Sequence, residues 1–294
     1  MKLFPHPTRL LTLSLLTAIL SLLGWQVIIK IRGDVHVAAL QQAGASNVCR
    51  LSSVVPGSWE QWIGKGYFTE RTIVHLRFSE ELNQSLKNEA GGREFANHFS
   101  SIPAVSEIVV SNVRSTEFTS FLESGLPQLM DFEIADSEIS GDLIAMLSKC
   151  PRLKSVEFTN CKFESACSLE KLRHAQDLKE LIIIKCELSG VNLHDLESIG
   201  SLRRLIALGN KCNLTDSMAI DLKSHSKLKE LEVSSELSER GLAALMANSS
   251  LEKIVLRSHC LDAACVSKFA KFRPDLELDV WFDVESDSTE SPFE

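Results

Sequence analysis

The sequence lacks the arrangements from which most active sites are built. It has no His-Glu-x-x-His pair for a catalytic zinc, no glycine loop to cradle phosphate and no Gly-x-Ser-x-Gly elbow. No paired carboxylates stand out from ordinary surface acids, so the chain is not expected to be an enzyme. Its eight cysteines include no Cys-x-x-Cys pair. His75, His174, His194, His225 and His259 fall singly along the chain, so no metal site and no cofactor are expected. A basic balance is missing as well. Residues 1–32 carry Lys2, Arg9, Lys30 and Arg32 without an acid, contributing +4 to a net charge of −8 and leaving −12 on the remainder. A surface that acidic argues against a nucleic-acid partner.

What the sequence does contain is one short apolar pattern, repeated. Leu153, Val156, Phe158, Cys161 and Phe163 recur 25 residues later as Leu178, Leu181, Ile183, Cys186 and Leu188. The frame runs back through Leu129, Phe132, Ile134, Ser137 and Ile139 to Val105, Ile108, Val110 and Val113. It runs forward through Leu202, Leu205, Ala207 and Asn210, then Leu228, Leu231 and Val233, then Leu251, Ile254, Leu256, His259 and Leu261. First positions are spaced by 24, 24, 25, 24, 26, 23 and 25 residues, the last step landing on Leu276. Each unit supplies a short strand with one apolar side that it cannot bury alone, so copies must stack. The pattern therefore predicts an α/β solenoid with a parallel sheet on one face. Ser140, Ser189, Thr215, Ser238 and Asp262 open the return segments and are suited to accept the free N–H groups of a helix start, which predicts helices on the other face. Two extra residues at 210–214 predict a bulged turn there.

With this spacing the chain resembles the leucine-rich-repeat superfamily, and its Cys-bearing ninth position is most similar to the ribonuclease-inhibitor-like and cysteine-containing classes. The resemblance spans about 105–278, with Leu214, Thr215 and Asp216 the most typical stretch. Ser137, Glu236 and His259 replace the usual Asn or Cys, and Ala207 replaces a core Leu, so distortion is expected in those repeats. A basic N-terminus, a single span, a Trp-containing cap and a run of repeats also look like bacterial membrane-anchored leucine-rich-repeat proteins. Members of the superfamily mostly bind proteins along the concave sheet, so the resemblance implies a protein partner. It carries over no catalytic residue.

Residues 10–29 contain no charge, and twelve of the twenty are Leu, Ile or Val. At about 1.5 Å per helical residue they span the roughly 30 Å hydrocarbon core, so a single transmembrane helix is predicted within an anchor of residues 1–32. A cleaved signal peptide is the rival reading, but no small-x-small site follows Leu23 closely. Lys2, Arg9 and the free amine slightly outweigh Lys30 and Arg32, which places the repeats on the non-cytoplasmic side. Residues 33–78 read as a stalk and N-terminal cap. Within them 48–55 and 72–78 are predicted strands, and Trp59, Trp62, Tyr67 and Phe68 are rings that hide the first repeat or, on a sharper reading, form an aromatic ligand cage. The solenoid then occupies 79–282, with an inserted polar loop at 82–92, and an acidic, Ser-rich tail at 283–294 is expected to be disordered. Trp281 and Phe282 are placed to cover the last repeat.

The frame also says what the open face of the sheet carries. With the first, fourth and sixth positions inward, the fifth positions read Val109, Glu133, Glu157, Ile182, Ile206, Glu232 and Val255. The seventh read Ser111, Ala135, Thr159, Ile184, Leu208, Ser234 and Arg257. Ile182, Ile184, Ile206 and Leu208 thus form a two-by-two apolar block, strands about 4.8 Å apart, flanked by Glu157 and Glu232. An apolar patch with a charged rim has the composition of a protein-contact site. The same patch is open to self-association, as in a structural envelope protein forming homo-oligomers, to coverage by the chain's own loop or tail, or to no role at all. Buried free thiols are expected at Cys161 and Cys186, with Cys161–Cys167 and Cys260–Cys265 able to pair in an oxidising compartment. Asn83, Asn213 and Asn248 begin Asn-x-Ser/Thr triplets.

Overall fold

The computed structural model describes residues 47–52, 69–77, 105–113 and 126–282 apart from 166, 188–192, 210–212 and 259, together with Val35, Ala38, Ala39 and Asn97. The span at 10–29, the ring cluster at 59–68, the loop at 82–92, the bulge at 210–212 and the tail at 283–294 lie outside the described residues. No helix of the described residues is long and apolar enough to cross a membrane. The chain divides into two compact units, Met1–Ile108 and Val109–Glu294.

In the first unit, Val35, Ala38 and Ala39 are helical, and strand β1 (Asn47–Ser52) pairs antiparallel with β2 (Thr69–Arg77). Strand β3 (Val105–Ser111) crosses the division between the units. The second unit continues with β4 (Asp131–Ala135), β5 (Glu138–Ile139), α1 (Gly141–Leu147), β6 (Ser155–Thr159) and β7 (Lys162–Phe163). A 3-10 helix (Leu169–His174), β8 (Glu180–Ile184) and a second 3-10 helix (Leu193–Ser198) follow, then β9 (Arg204–Leu208) and α2 (Asp216–Leu222). Strand β10 (Glu230–Ser235), α3 (Glu239–Met246), β11 (Lys253–Ser258), α4 (Ala263–Phe272) and β12 (Glu277–Phe282) complete it.

One strand per repeat joins a sheet in the order β4-β6-β8-β9-β10-β11-β12, every neighbouring pair parallel. Because each strand takes the same place in its repeat, register follows from repeat length: Asp131 pairs Ser155, Ser155 pairs Glu180, Glu180 pairs Arg204, and Arg204 pairs Glu230. The inward fourth and sixth positions, from Phe132 and Ile134 to Ile254 and Leu256, are at most 5% exposed. This is a leucine-rich-repeat-like fold. Ala207 fits it without distortion, in register between Ile183 and Val233. The final repeat corrects the expected frame. Lys253 pairs with Glu277, a step of 24, so Asp275 and not Leu276 holds the first position and Leu278 and Val280 take the fourth and sixth. Arg273 binds Asp275 at 3.0 Å, and Leu276 is buried beside that position.

Each strand must turn sharply to start its return. Asn112, Asp136, Asn160, Lys185 and Gly209, at the eighth positions, have φ between 50° and 62°, the left-handed region. The turned N–H groups donate to the seventh-position carbonyl of the next repeat: Asn112 to Ala135 at 3.2 Å, Asp136 to Thr159 at 3.0 Å, Asn160 to Ile184 at 2.8 Å and Lys185 to Leu208 at 2.8 Å. At the ninth position the side chain completes the ladder. The Ser137 hydroxyl accepts from Val113 N at 3.0 Å, and the Cys186 sulfur accepts from Cys161 N at 3.4 Å. A Ser at 137 therefore does there what a thiol does two repeats later, which is why the departure does not distort the turn.

Three of the predicted caps, Ser140, Ser238 and Asp262, accept from Leu143, Arg240 and Cys265 N–H groups at 3.3, 3.1 and 2.6 Å, and Ser189 lies outside the described residues. Ser168, which the pattern did not predict, accepts from Glu170 N–H at 3.2 Å. Thr215 stands at the same place without a side-chain bond. Two return segments are 3-10 where α was equally open to the pattern. After Phe163 the helical segment begins only at Leu169, nine residues before the next repeat at Leu178, whereas α1 begins twelve before Leu153. A 3-10 helix rises about 2.0 Å per residue against about 1.5 Å for α, so it covers the same return with fewer residues.

Candidate functional site

The apolar block forms as the alternation predicts. Ile182 pairs in register with Ile206, and Ile184 with Leu208, across β8 and β9. Ile182, Ile184 and Leu208 are half-buried, and Ile206 is 8% exposed, the deepest of the four. Neighbours on both sides account for this: Ile206 lies between Ile182 and Glu232, with Arg204 and Leu208 before and after it on the same face. The side chains are placed by the sheet itself, since the fourth and sixth positions between them are locked in the core.

The two rim acids differ. Glu232 faces Arg257 at 4.0 Å, so its charge is answered from the next strand. Glu157, opposite Glu133 across β4 and β6, accepts the Thr159 hydroxyl at 3.0 Å. The third positions carry a further feature that reading the fifth and seventh positions missed. They run Glu180, Arg204, Glu230, Lys253 and Glu277, alternating in sign on consecutive strands. Arg204 binds Glu180 and, at 3.1 Å, Glu230, while Lys253 binds Glu277 at 2.5 Å. The signal was legible in the repeat frame, because third positions occupy the open face as surely as the fifth. A groove of about 380 Å³ runs beside this row along Arg204, Ile206, Glu230, Glu232, Lys253 and Val255.

Nothing chemical converges here. Among the described residues no group of three or more His, Cys, Asp and Glu side chains is placed to hold a metal ion. Cys150, Cys161, Cys167 and Cys186 are free and buried, and Cys260 and Cys265 are free, so neither pairing open from the sequence is present. Burial pushes the Cys150 thiol up and the Cys167 thiol up to about 12. The Cys161 thiol is raised by its hydrogen bond with Cys186 and then by burial. Cys150, Cys161 and Cys167 lie in the core, away from solvent. His225 is buried with its ring against the Ile199 carbonyl at 3.0 Å. Asn248 is buried and fully engaged, which rules out a sugar on the folded domain at that triplet.

No protein-family model matches the sequence. Solved structures similar to this chain include Rad7 and Elc1 from yeast, with 15% identity over 75% of this chain and 72% of that one and a TM-score of 0.36. A chain of the octameric complex of latrophilin 3, Unc5D and FLRT2 (LRR) is similar at 13% identity over 64% of this chain and 78% of that one, TM-score 0.34. An internalin (InlF) from Listeria monocytogenes is similar at 12% identity over 72% of this chain and 68% of that one, TM-score 0.33. Likenesses of this size leave the function to be read from the face itself.

The end of the sheet differs from expectation. Trp281 and Phe282 are 60% and 44% exposed on β12, and Phe272 of α4 is 70% exposed. The two rings of β12 extend the last strand instead of folding back over it, because Arg257 and Ser258 pair with them in the ladder.

Proposed function

We propose that the chain is a membrane-tethered, non-enzymatic protein-binding module. Residues 10–29 anchor it, the repeats stand on the non-cytoplasmic side, and the open sheet face contacts a protein partner through Ile182, Ile184, Ile206 and Leu208. The observation that carries this reading is the in-register apolar block on a face whose neighbouring rows are charged. The other large apolar side chains of β8 and β9, Leu181, Ile183 and Leu205, are in the core, so the four are not a by-product of poor patterning. The resemblance to leucine-rich repeats implies the same use of the same face.

Proximity labelling from a tag on the repeat domain in the native host tests it, comparing wild type with the Ile184→Glu, Ile206→Glu double variant after circular dichroism has shown that the variant folds. Loss of one or a few labelled proteins is expected. An unchanged set of neighbours overturns the reading, and loss of contacts between copies alone replaces it with self-association.

A further inference from the structure

The open face is not uniform in charge, and the asymmetry selects the chemistry of what sits on it. From β8 onward every base at an open position meets an acid: Arg204 binds Glu180 and Glu230, Lys253 binds Glu277, and Arg257 faces Glu232. On β4 and β6 the open positions are Asp131, Glu133, Ala135, Ser155, Glu157 and Thr159, three acids and no base. Among the described residues Glu157 meets a hydroxyl and no cation. From β8 onward the open positions carry three bases against five acids, Glu180, Glu230, Glu232, Glu277 and Asp279, so the apolar block borders a half of the sheet with answering bases and a half with none.

We infer that the partner segment is basic as well as apolar, setting a Lys or Arg side chain over Glu133 and Glu157 and an apolar side chain over Ile182 and Ile206. This rests on the reading of the open face as a protein-contact surface. Covering Glu157 with an apolar or acidic segment would remove its water without an answering charge, which is unfavourable, whereas a guanidinium or ammonium group supplies both charge and donors. The spacing follows from the sheet. The midpoint of Glu133 and Glu157 lies two strand spacings, about 10 Å, from the midpoint of Ile182 and Ile206. A chain in the polyproline II conformation, with three residues per turn and about 3.1 Å per residue, covers this in about three residues with both side chains on the same side. The segment is therefore of the form base-x-x-apolar, with the base towards β4. The chain's own tail does not fit: 283–294 contains Asp283, Glu285, Asp287, Glu290 and Glu294 and no base.

A random twelve-residue peptide library displayed on phage, selected against the full chain held in nanodiscs, tests the inference. Enriched sequences are then made as fluorescein-labelled peptides and titrated by fluorescence polarisation against wild type, Ile206→Glu, Glu157→Lys and the milder Glu157→Gln, each checked for fold by circular dichroism. The expected result is enrichment of a Lys or Arg three residues from Leu, Ile or Phe. Binding should be abolished by Ile206→Glu and weakened about threefold to tenfold by Glu157→Lys, with a smaller loss for Glu157→Gln and for wild type at higher salt. Peptides that need Ile206 but are acidic or uncharged, and that ignore both Glu157 variants, overturn the basic-segment inference while leaving the contact surface standing. Peptides enriched without dependence on Ile206, or no enrichment at all, overturn the contact surface and the inference with it.

Discussion

Asn248 holds three repeats together on the descending side of the solenoid, and its replacement should be the most damaging polar change in the domain. It is 3% exposed, and its amide nitrogen donates to the Leu222 carbonyl at 2.8 Å and the His225 carbonyl at 3.1 Å. Its amide oxygen accepts from Ser250 N at 2.9 Å, and its backbone carbonyl accepts from Arg273 at 3.1 Å. Asn248→Ala removes four side-chain hydrogen bonds, the fourth accepted from the Ser250 hydroxyl at 2.6 Å, with about 0.8 kcal/mol lost for each, about 3 kcal/mol in all. Asn248→Asp keeps the acceptor to Ser250 but turns an oxygen, charged at neutral pH, towards two carbonyls, and should cost about 4 kcal/mol or more. In urea unfolding followed by circular dichroism, a loss of that size moves the midpoint by about 1 to 3 M. The two variants also separate by pH. Burial against carbonyls raises the folded pKa of the new carboxyl above its unfolded value, so it binds protons more readily folded than unfolded. The stability deficit of Asn248→Asp should therefore shrink as pH falls from 7 towards 4, while that of Asn248→Ala stays level relative to wild type. An Asn248→Asp variant no less stable than Asn248→Ala at pH 7, or one whose deficit does not shrink on acidification, would refute the reasoning.

The left-handed corners make a second prediction of both signs. Lys185 has φ 53° where an L-residue with a long side chain is disfavoured, and Lys185→Asn should stabilise by about 0.5 to 1 kcal/mol, whereas Gly209→Ala at φ 62° should destabilise by about 1 kcal/mol; equal midpoints in urea for all three proteins would dismiss the role assigned to the corner. A third concerns the thiols: at pH 8 iodoacetamide should modify exposed Cys260 in the folded protein, while Cys150, Cys161, Cys167 and Cys186 remain unmodified until urea is added, as read by peptide mass spectrometry. Rapid labelling of Cys167 without denaturant would contradict its burial.

Much of the fold follows from spacing because the sheet is parallel and takes one strand from each repeat. Sequence distance between equivalent residues is then register, and the expected partners from Asp131–Ser155 to Glu230–Lys253 are those observed. The frame slips only at the end, where Leu276 follows Pro274 and Asp275 and resembles a first position, although Leu278 and Val280 fit the fourth and sixth positions counted from Asp275. The choice of 3-10 over α at 169–174 depends on how far the return must reach, which the apolar pattern does not encode. The ion row of Glu180, Arg204, Glu230, Lys253 and Glu277 is legible in the repeat frame, because third positions share the open face with the fifth and seventh.

By itself the sequence determined which residues face the core, which share the open face, and that Ile182, Ile184, Ile206 and Leu208 meet there, since strand alternation and repeat length are local, countable properties. Only the tertiary structure decided how each of those residues is used. Burial and pairing depend on what the neighbouring repeat places within a few ångströms. That is why Glu232 has a cation and Glu157 a hydroxyl, why Ser137 and Cys186 serve the same ladder, and why an Asn-x-Ser triplet at Asn248 is a structural clamp between repeats.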